Sequence, residues 1–261
     1  MLVAKRFTLD RQKTIAFLGT LESGTGNAAT WYLPPGLQAR EIETTLATVP
    51  GLSTVPSEVP AIMAQSRTGA VLFWGPRHKN LILPPFPVRE KYIASGNETS
   101  HLISLIERDC IIALVLVRLG SYAIGVCQGE KLVASKVGTG LVHSRHRQGG
   151  SSSARFARHR EKQIEAFLIR VCEHIGEKFE PYARTVDYIA YGGARTTILL
   201  LQKRCHFLEQ FENCALPPLL TIPDPRQAVL EDAVRQVWSS CVIEWHESGS
   251  TEAGTESDKE R

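Results

Sequence analysis

The most constraining stretch of this 261-residue chain lies between Cys110 and Gly176. Three apolar runs, residues 110–117, 122–128 and 131–137, are separated there by Gly120-Ser121 and Gly129-Glu130. Breaks that short join antiparallel neighbours, so the spacing predicts a three-strand meander. From His143 to Ser153, eleven residues (His-Ser-Arg-His-Arg-Gln-Gly-Gly-Ser-Ser-Ser) carry no apolar side chain and cannot enter a core. A polar loop of that length inside a compact domain is uncommon; where it occurs it is disordered or functional. Next comes a predicted helix over 154–176, whose Phe156, Ile164, Phe167, Leu168, Val171, Cys172 and Ile175 recur at helical spacing and face the meander.

Charge is informative where these segments meet. Between Lys136 and Lys162 the chain places Lys136, Arg145, Arg147, Arg155, Arg158, Arg160 and Lys162 against Glu161 alone, a net +6 in a chain of net +3. A block so sharply bounded fits the footprint of a polyanion. Arg155 and Arg158 fall in the first turns of the helix, where the macrodipole opposes cations by a few tenths to about 1 kcal/mol each. An anion offsets that cost, because free helical N–H groups and guanidinium forks together make a phosphate site. The adjacent Gly149 and Gly150 permit positive φ and close approach of the main chain to a ligand.

The remainder reads as an α/β protein. Residues 1–88 predict a smaller N-terminal α/β domain: a helix over 10–21 capped by Thr8 or Asp10, a turn at Gly24 to Gly26, a strand at 28–33, helices at 41–49 and 60–65, and strands at 70–74 and 80–83. Pro84-Pro85-Phe86-Pro87 cannot supply the donors of a central strand and reads as a connector. A central domain over 89–246 follows, with a helix at 99–107, a strand at 186–191, a helix ending near Phe207, a short strand at 219–222 and a last helix from Asp224 to near Trp245. Residues 247–261, rich in Glu, Ser, Gly and Thr, are expected to be disordered.

Cys110, Cys127, Cys172, Cys205, Cys214 and Cys241 are scattered, with no Cys-x-x-Cys spacing, and are expected to be reduced core thiols. The longest apolar run is eight residues against the roughly 20 of a spanning helix, and the first residues lack a secretory pattern, so a cytosolic address is expected.

The segment from Gly149-Gly150 to Arg155-Phe156-Ala157-Arg158 resembles the Gly-Gly-Gln-Ser-Ala-x-Arg-Phe-Ala-Arg segment of the eukaryotic and archaeal peptide-chain release factors. Trp31-Tyr32-Leu33-Pro34-Pro35-Gly36 is similar to the first strand and turn of their N-terminal domain. The Vms-type ribosome quality-control release factors and their bacterial relatives are closer still. The resemblance implies a ribonuclease-H-like central domain whose glycine loop enters the peptidyl transferase centre and helps water cleave peptidyl-tRNA. It implies contacts to the large ribosomal subunit, rRNA and peptidyl-tRNA, and no cofactor, metal, membrane or DNA. Its catalytic positions correspond to Gly149, Gly150, Ser151 and Ser152; its RNA contacts to Arg145, His146, Arg147, Gln148, Arg155, Arg158, Arg160 and Lys162. Two departures count. Serines stand where those families carry glutamine, although Ser151 still offers a backbone N–H to an ester carbonyl. No Asn-Ile-Lys-Ser element occurs in residues 1–88, which favours rescue over stop-codon reading.

Plainer readings stand beside these. Any of Ser151 to Ser153 could simply cap the helix. His143, His146 and His159 could suggest zinc, but no Cys lies near them in sequence, and phosphate or rRNA contact is the preferred reading. Gly138-Thr139-Gly140 follows a strand without the rest of a dinucleotide fingerprint, and Gly192-Gly193-Ala194 reads as a tight turn. Trp31, Trp74, Trp238 and Trp245 are expected in cores or interfaces. Three functions remain open: a peptidyl-tRNA hydrolase, a noncatalytic factor occupying the ribosomal A site, and an RNA nuclease, for which Asp109 and Glu130 are the carboxylates near the meander.

Overall fold

The computed structural model describes residues 2–22, 28–49, 54–142 and 153–247. The Gly24 to Gly26 turn, the loop over 143–152 and the tail beyond 247 lie outside them. The chain divides into two compact units, Met1–Leu102 with Ser240–Arg261, and Ile103–Ser239.

The first unit is built on β1 (Leu2–Leu9), β2 (Ala29–Leu33), β3 (Ala70–Trp74), β4 (Lys79–Leu83), β5 (Tyr92–Ser95) and β11 (Ser240–Glu247). They form one sheet in the order β1-β11-β4-β3-β2-β5, antiparallel throughout. Helix α1 (Arg11–Glu22) starts where the Asp10 carboxylate accepts the Lys13 N–H at 2.8 Å, an N-cap arrangement that also holds the Asp10 pKa low. Helices α2 (Ala39–Leu46) and α3 (Glu58–Gln65) bring Ile42, Leu46, Val59 and Met63 against Trp31, Leu72, Trp74, Leu81 and Ile243. Trp31 and Trp74 are fully buried there, as expected of core anchors.

The second unit holds β6 (Ile111–Arg118), β7 (Ser121–Gln128), β8 (Lys131–Thr139), β9 (Tyr188–Gly193) and β10 (Ala215–Leu220). The order is β10-β9-β6-β7-β8: the meander is antiparallel, and β9 and β10 continue it in parallel beside β6. Ala113, Val115 and Val117 of β6 meet α5 (Ser153–Phe179) and α6 (Arg195–Arg204), while Ile112, Leu114 and Leu116 on the other face are equally buried. A strand covered on both faces needs an unbroken apolar run rather than alternation, which is what residues 110–117 supply. Helix α7 (Gln227–Val237) sets Leu230 against Gly125 of β7, and the Trp238 indole N–H donates to Gly129 O at 3.0 Å.

The structure corrects four expectations. The last helix stops at Val237; residues 240–247 form β11 and pair with β1 and β4, so this strand leaves the central domain expected over 89–246 and joins the first sheet. Its helix is preceded by Arg226 rather than capped by Asp224, whose carboxylate lies 3.5 Å from Arg118. The strand expected at 219–222 begins at Ala215 and runs through Pro217 and Pro218; it survives those missing donors because it sits at a sheet edge with a shifted register. Cys172 and Cys205 form a disulfide, with Cα atoms 5.4 Å apart, where reduced thiols were expected. Helical packing, invisible to spacing along the chain, brings that pair together.

Candidate functional site

Helix α5 has two unlike halves. From Phe167 onward it is rooted: Phe167, Leu168, Val171, Ile175 and Phe179 are buried in the core of the second unit. From Arg155 to Ala166 no residue is buried. At 1.5 Å rise per residue, the helix runs about 21 Å from Phe167 back to its start at Ser153. The first turns of α5, ahead of Ile164, which packs part-buried on that core, therefore form an arm with no fully buried residue from Arg155 onward.

The arm carries the basic residues. Arg155, Arg158, His159 and Lys162 are exposed and Arg160 is half-buried. Arg155, Arg158 and Lys162 form no ion pair among the described residues. The first turn holds no acidic residue, so the dipole conflict anticipated from sequence is real and no side chain of that turn relieves it. Phe156 is 54% exposed among these cations. It was read from sequence as part of the packing face, and the structure begins that face at Ile164, about two turns later. An aromatic ring flanked by guanidinium groups suits stacking on a nucleobase.

The arm is tied down at its base. Glu165 pairs with Arg204 of α6 at 2.5 Å, and the Cys172–Cys205 disulfide joins the same two helices. On the strand side, β8 ends at Thr139, Gly140 donates its N–H to Gly120 O at 2.9 Å, and Val142 is the last described residue before the loop. Of the residues singled out from sequence, Arg155, Arg158, Arg160 and Lys162 share the arm. Arg145, His146, Arg147, Gln148, Gly149, Gly150, Ser151 and Ser152 lie outside the described residues, between β8 and α5.

Among the described residues, no cluster of His, Cys, Asp and Glu is disposed to hold a metal ion. Burial pushes the Cys127 thiol up to about 12, so it stays protonated and is a poor nucleophile at neutral pH. Among the described residues, no helix is long and apolar enough to cross a membrane.

Comparison with known proteins gives related results. The chain is 23% identical over 207 residues to peptide chain release factor subunit 1 of Aeropyrum pernix, an alignment covering 69% of this chain and 56% of that protein. It is 25% identical over 194 residues to the protein of the same name from Picrophilus torridus, covering 64% and 47%. The chain thus spans about half the length of these relatives. Among solved structures it is similar to the archaeal translation termination factor aRF1, with 17% identity, a TM-score of 0.40, and coverage of 88% of this chain and 73% of that one. The sequence profile described as Actinobacteria/chloroflexi VLRF1 release factor matches residues 111–243, taking in the meander, the arm, β9, β10 and α7. On that match over half of its length, the chain belongs to the VLRF1 release factor family of Actinobacteria and Chloroflexi.

Proposed function

We propose that this chain is a ribosome-rescue release factor: it enters stalled large ribosomal subunits from the cytoplasm and hydrolyses the ester of peptidyl-tRNA. The observation that carries the reading is the arm, about 21 Å of helix ahead of Phe167 in which no residue from Arg155 to Ala166 is fully buried, and on which Arg155 and Arg158 form no ion pair among the described residues. A rigid, basic projection suits a reaction centre walled by RNA phosphates, where charge gives affinity and length gives reach. The strand order, three antiparallel strands followed by two parallel ones, supports a ribonuclease-H-like central domain.

The chemistry follows from what the loop holds. Gly149 and Gly150 let the main chain approach the ester, and the N–H of Ser151 donates to the carbonyl oxygen as negative charge builds on it. Water attacks the carbonyl carbon, the bond to the tRNA ribose oxygen breaks, and that oxygen takes up a proton. Arg145, His146, Arg147, Gln148, Arg155, Arg158, Arg160 and Lys162 position the loop on rRNA and tRNA, and Ser152 is counted with Gly149, Gly150 and Ser151 among the catalytic positions.

A second reading is favoured by one residue. Ser151 stands where related factors carry glutamine, and a serine hydroxyl is too short to replace its amide; a factor that occupies the A site without hydrolysis would fit. Release of labelled peptide from purified 50S or 60S subunits carrying peptidyl-tRNA separates the two, using wild type, Gly149→Ala/Gly150→Ala and Ser151→Gln. Release by wild type that is lost in the double glycine variant supports the hydrolase. Binding without release, with release gained by Ser151→Gln, supports the noncatalytic factor.

A further inference from the structure

Two glycines lie where the end of β8 meets the root of the arm. Gly138 and Gly140 lie two positions apart on one face at the end of β8, next to where the chain leaves for the loop. A Cβ at Gly138 would fall 2.5 Å from Tyr122 Cζ, and one at Gly140 would fall 2.5 Å from Phe167 Cδ2. Neither distance is tolerable, so both rings rest on bare backbone. The Tyr122 ring lies 5.8 Å from His174 of α5 with only 20° between the planes, and meets the Phe167 ring edge-on at 6.1 Å. Gly138, Tyr122 and His174 thus make one stack between strand and helix, and Gly140 with Phe167 makes a second contact at the point where α5 first becomes buried.

We propose that Gly138 and Gly140 are positioning residues that set the direction of the basic arm by letting α5 lie directly on the end of β8. The proposal rests on the release-factor reading for its consequence, though not for its geometry. A side chain at either glycine lifts α5 at its root. With about 21 Å of helix beyond Phe167, a tilt of about 10° moves the tip by about 4 Å. Displacement of a reacting group by about 1 Å is enough to cost roughly a hundredfold in rate. These glycines were noted in the sequence for a dinucleotide fingerprint they do not complete; the structure gives them this other task.

The test uses the full chain. Spin labels attached through non-natural amino acids at Glu161 and Lys131, both exposed, report the distance from arm to sheet. Gly140→Ala is expected to shift or broaden that distance and to lower peptide release by roughly a hundredfold, while subunit binding falls less than tenfold. Phe167→Leu in the Gly140→Ala background makes room for the new Cβ and is expected to restore both the distance and at least a tenth of the release. A general loss of structure would not be reversed in this way by trimming a core residue. Should Gly140→Ala not fold, the same two readouts are taken on Gly138→Ala, whose clash is with the Tyr122 ring. A folded variant with the wild-type distance overturns the proposal. If the distance moves and is restored but wild type releases no peptide, the positioning role stands and the hydrolase reading falls.

Discussion

The two halves of α5 obey different rules within one continuous helix. Residues 167–179 place an apolar side chain on the core at every turn; residues 155–166 contain no fully buried residue, with Ile164 only partly buried against the core, and gather charge that the helix dipole disfavours. The rooted half is accounted for by packing. The projecting half leaves Arg155, Arg158 and Lys162 exposed and without an ion pair among the described residues, which is the physical ground for proposing an external, anionic partner.

Mutations in the two halves should therefore separate cleanly. The largest effect is expected from Phe179→Ala, which empties a fully buried site and should lower unfolding free energy by about 3–5 kcal/mol in urea titrations. Phe156→Ala in the projecting half should change it by less than about 0.5 kcal/mol. A comparable loss at Phe156 would mean that the arm packs on something in the free protein.

Replacing Cys172 and Cys205 together by serine should cost about 2–4 kcal/mol, read by thermal and urea unfolding under non-reducing conditions. Hydrogen exchange in residues 155–162 should be unchanged by the same replacement, since the disulfide lies beyond them.

Changing Arg155 and Arg158 to glutamine should leave unfolding unaffected but weaken subunit binding. The slope of log affinity against log salt should become shallower by roughly 0.7–0.9 for each lost phosphate contact. An unchanged slope would remove the arginines from the interface.

The smallest effect concerns Glu177, whose carboxyl is held below its ordinary range first by its hydrogen bond to Lys178 and then by His174. A lowered folded-state value contributes stability above the unfolded carboxylate range, which is lost as pH falls through the folded value. Glu177→Gln should slightly flatten the acid side of the stability profile, and since the group is exposed, salt should reduce the difference.

What the sequence discloses about these halves is uneven. The basic cluster and the rooted stripe are legible because charge and a 3.6-residue period are local properties. The close approach of Gly138 and Gly140 to Tyr122 and Phe167 is not, because only tertiary packing turns a missing Cβ into a requirement. The same limit explains the last strand. Leu230, Val234, Val237, Trp238, Val242 and Trp245 keep helical spacing through position 245, so periodicity alone extends the helix. What decides for a strand is hydrogen bonding to β1 and β4, more than 150 residues earlier along the chain. Strand β1 itself is mostly exposed and lacks clean alternation, so nothing in its own residues announces it.

That last strand also orders events during synthesis. β11 lies between β1 and β4, so β1 is separated from the rest of the first sheet until residues 240–247 have left the ribosome that makes them. The second unit, contiguous from Ile103 to Ser239, needs nothing that comes later and is free to fold while the first waits. The chain begun first is therefore completed last, and β1 and β4 spend that interval with unpaired edges, the condition under which a nascent chain most needs protection from its neighbours.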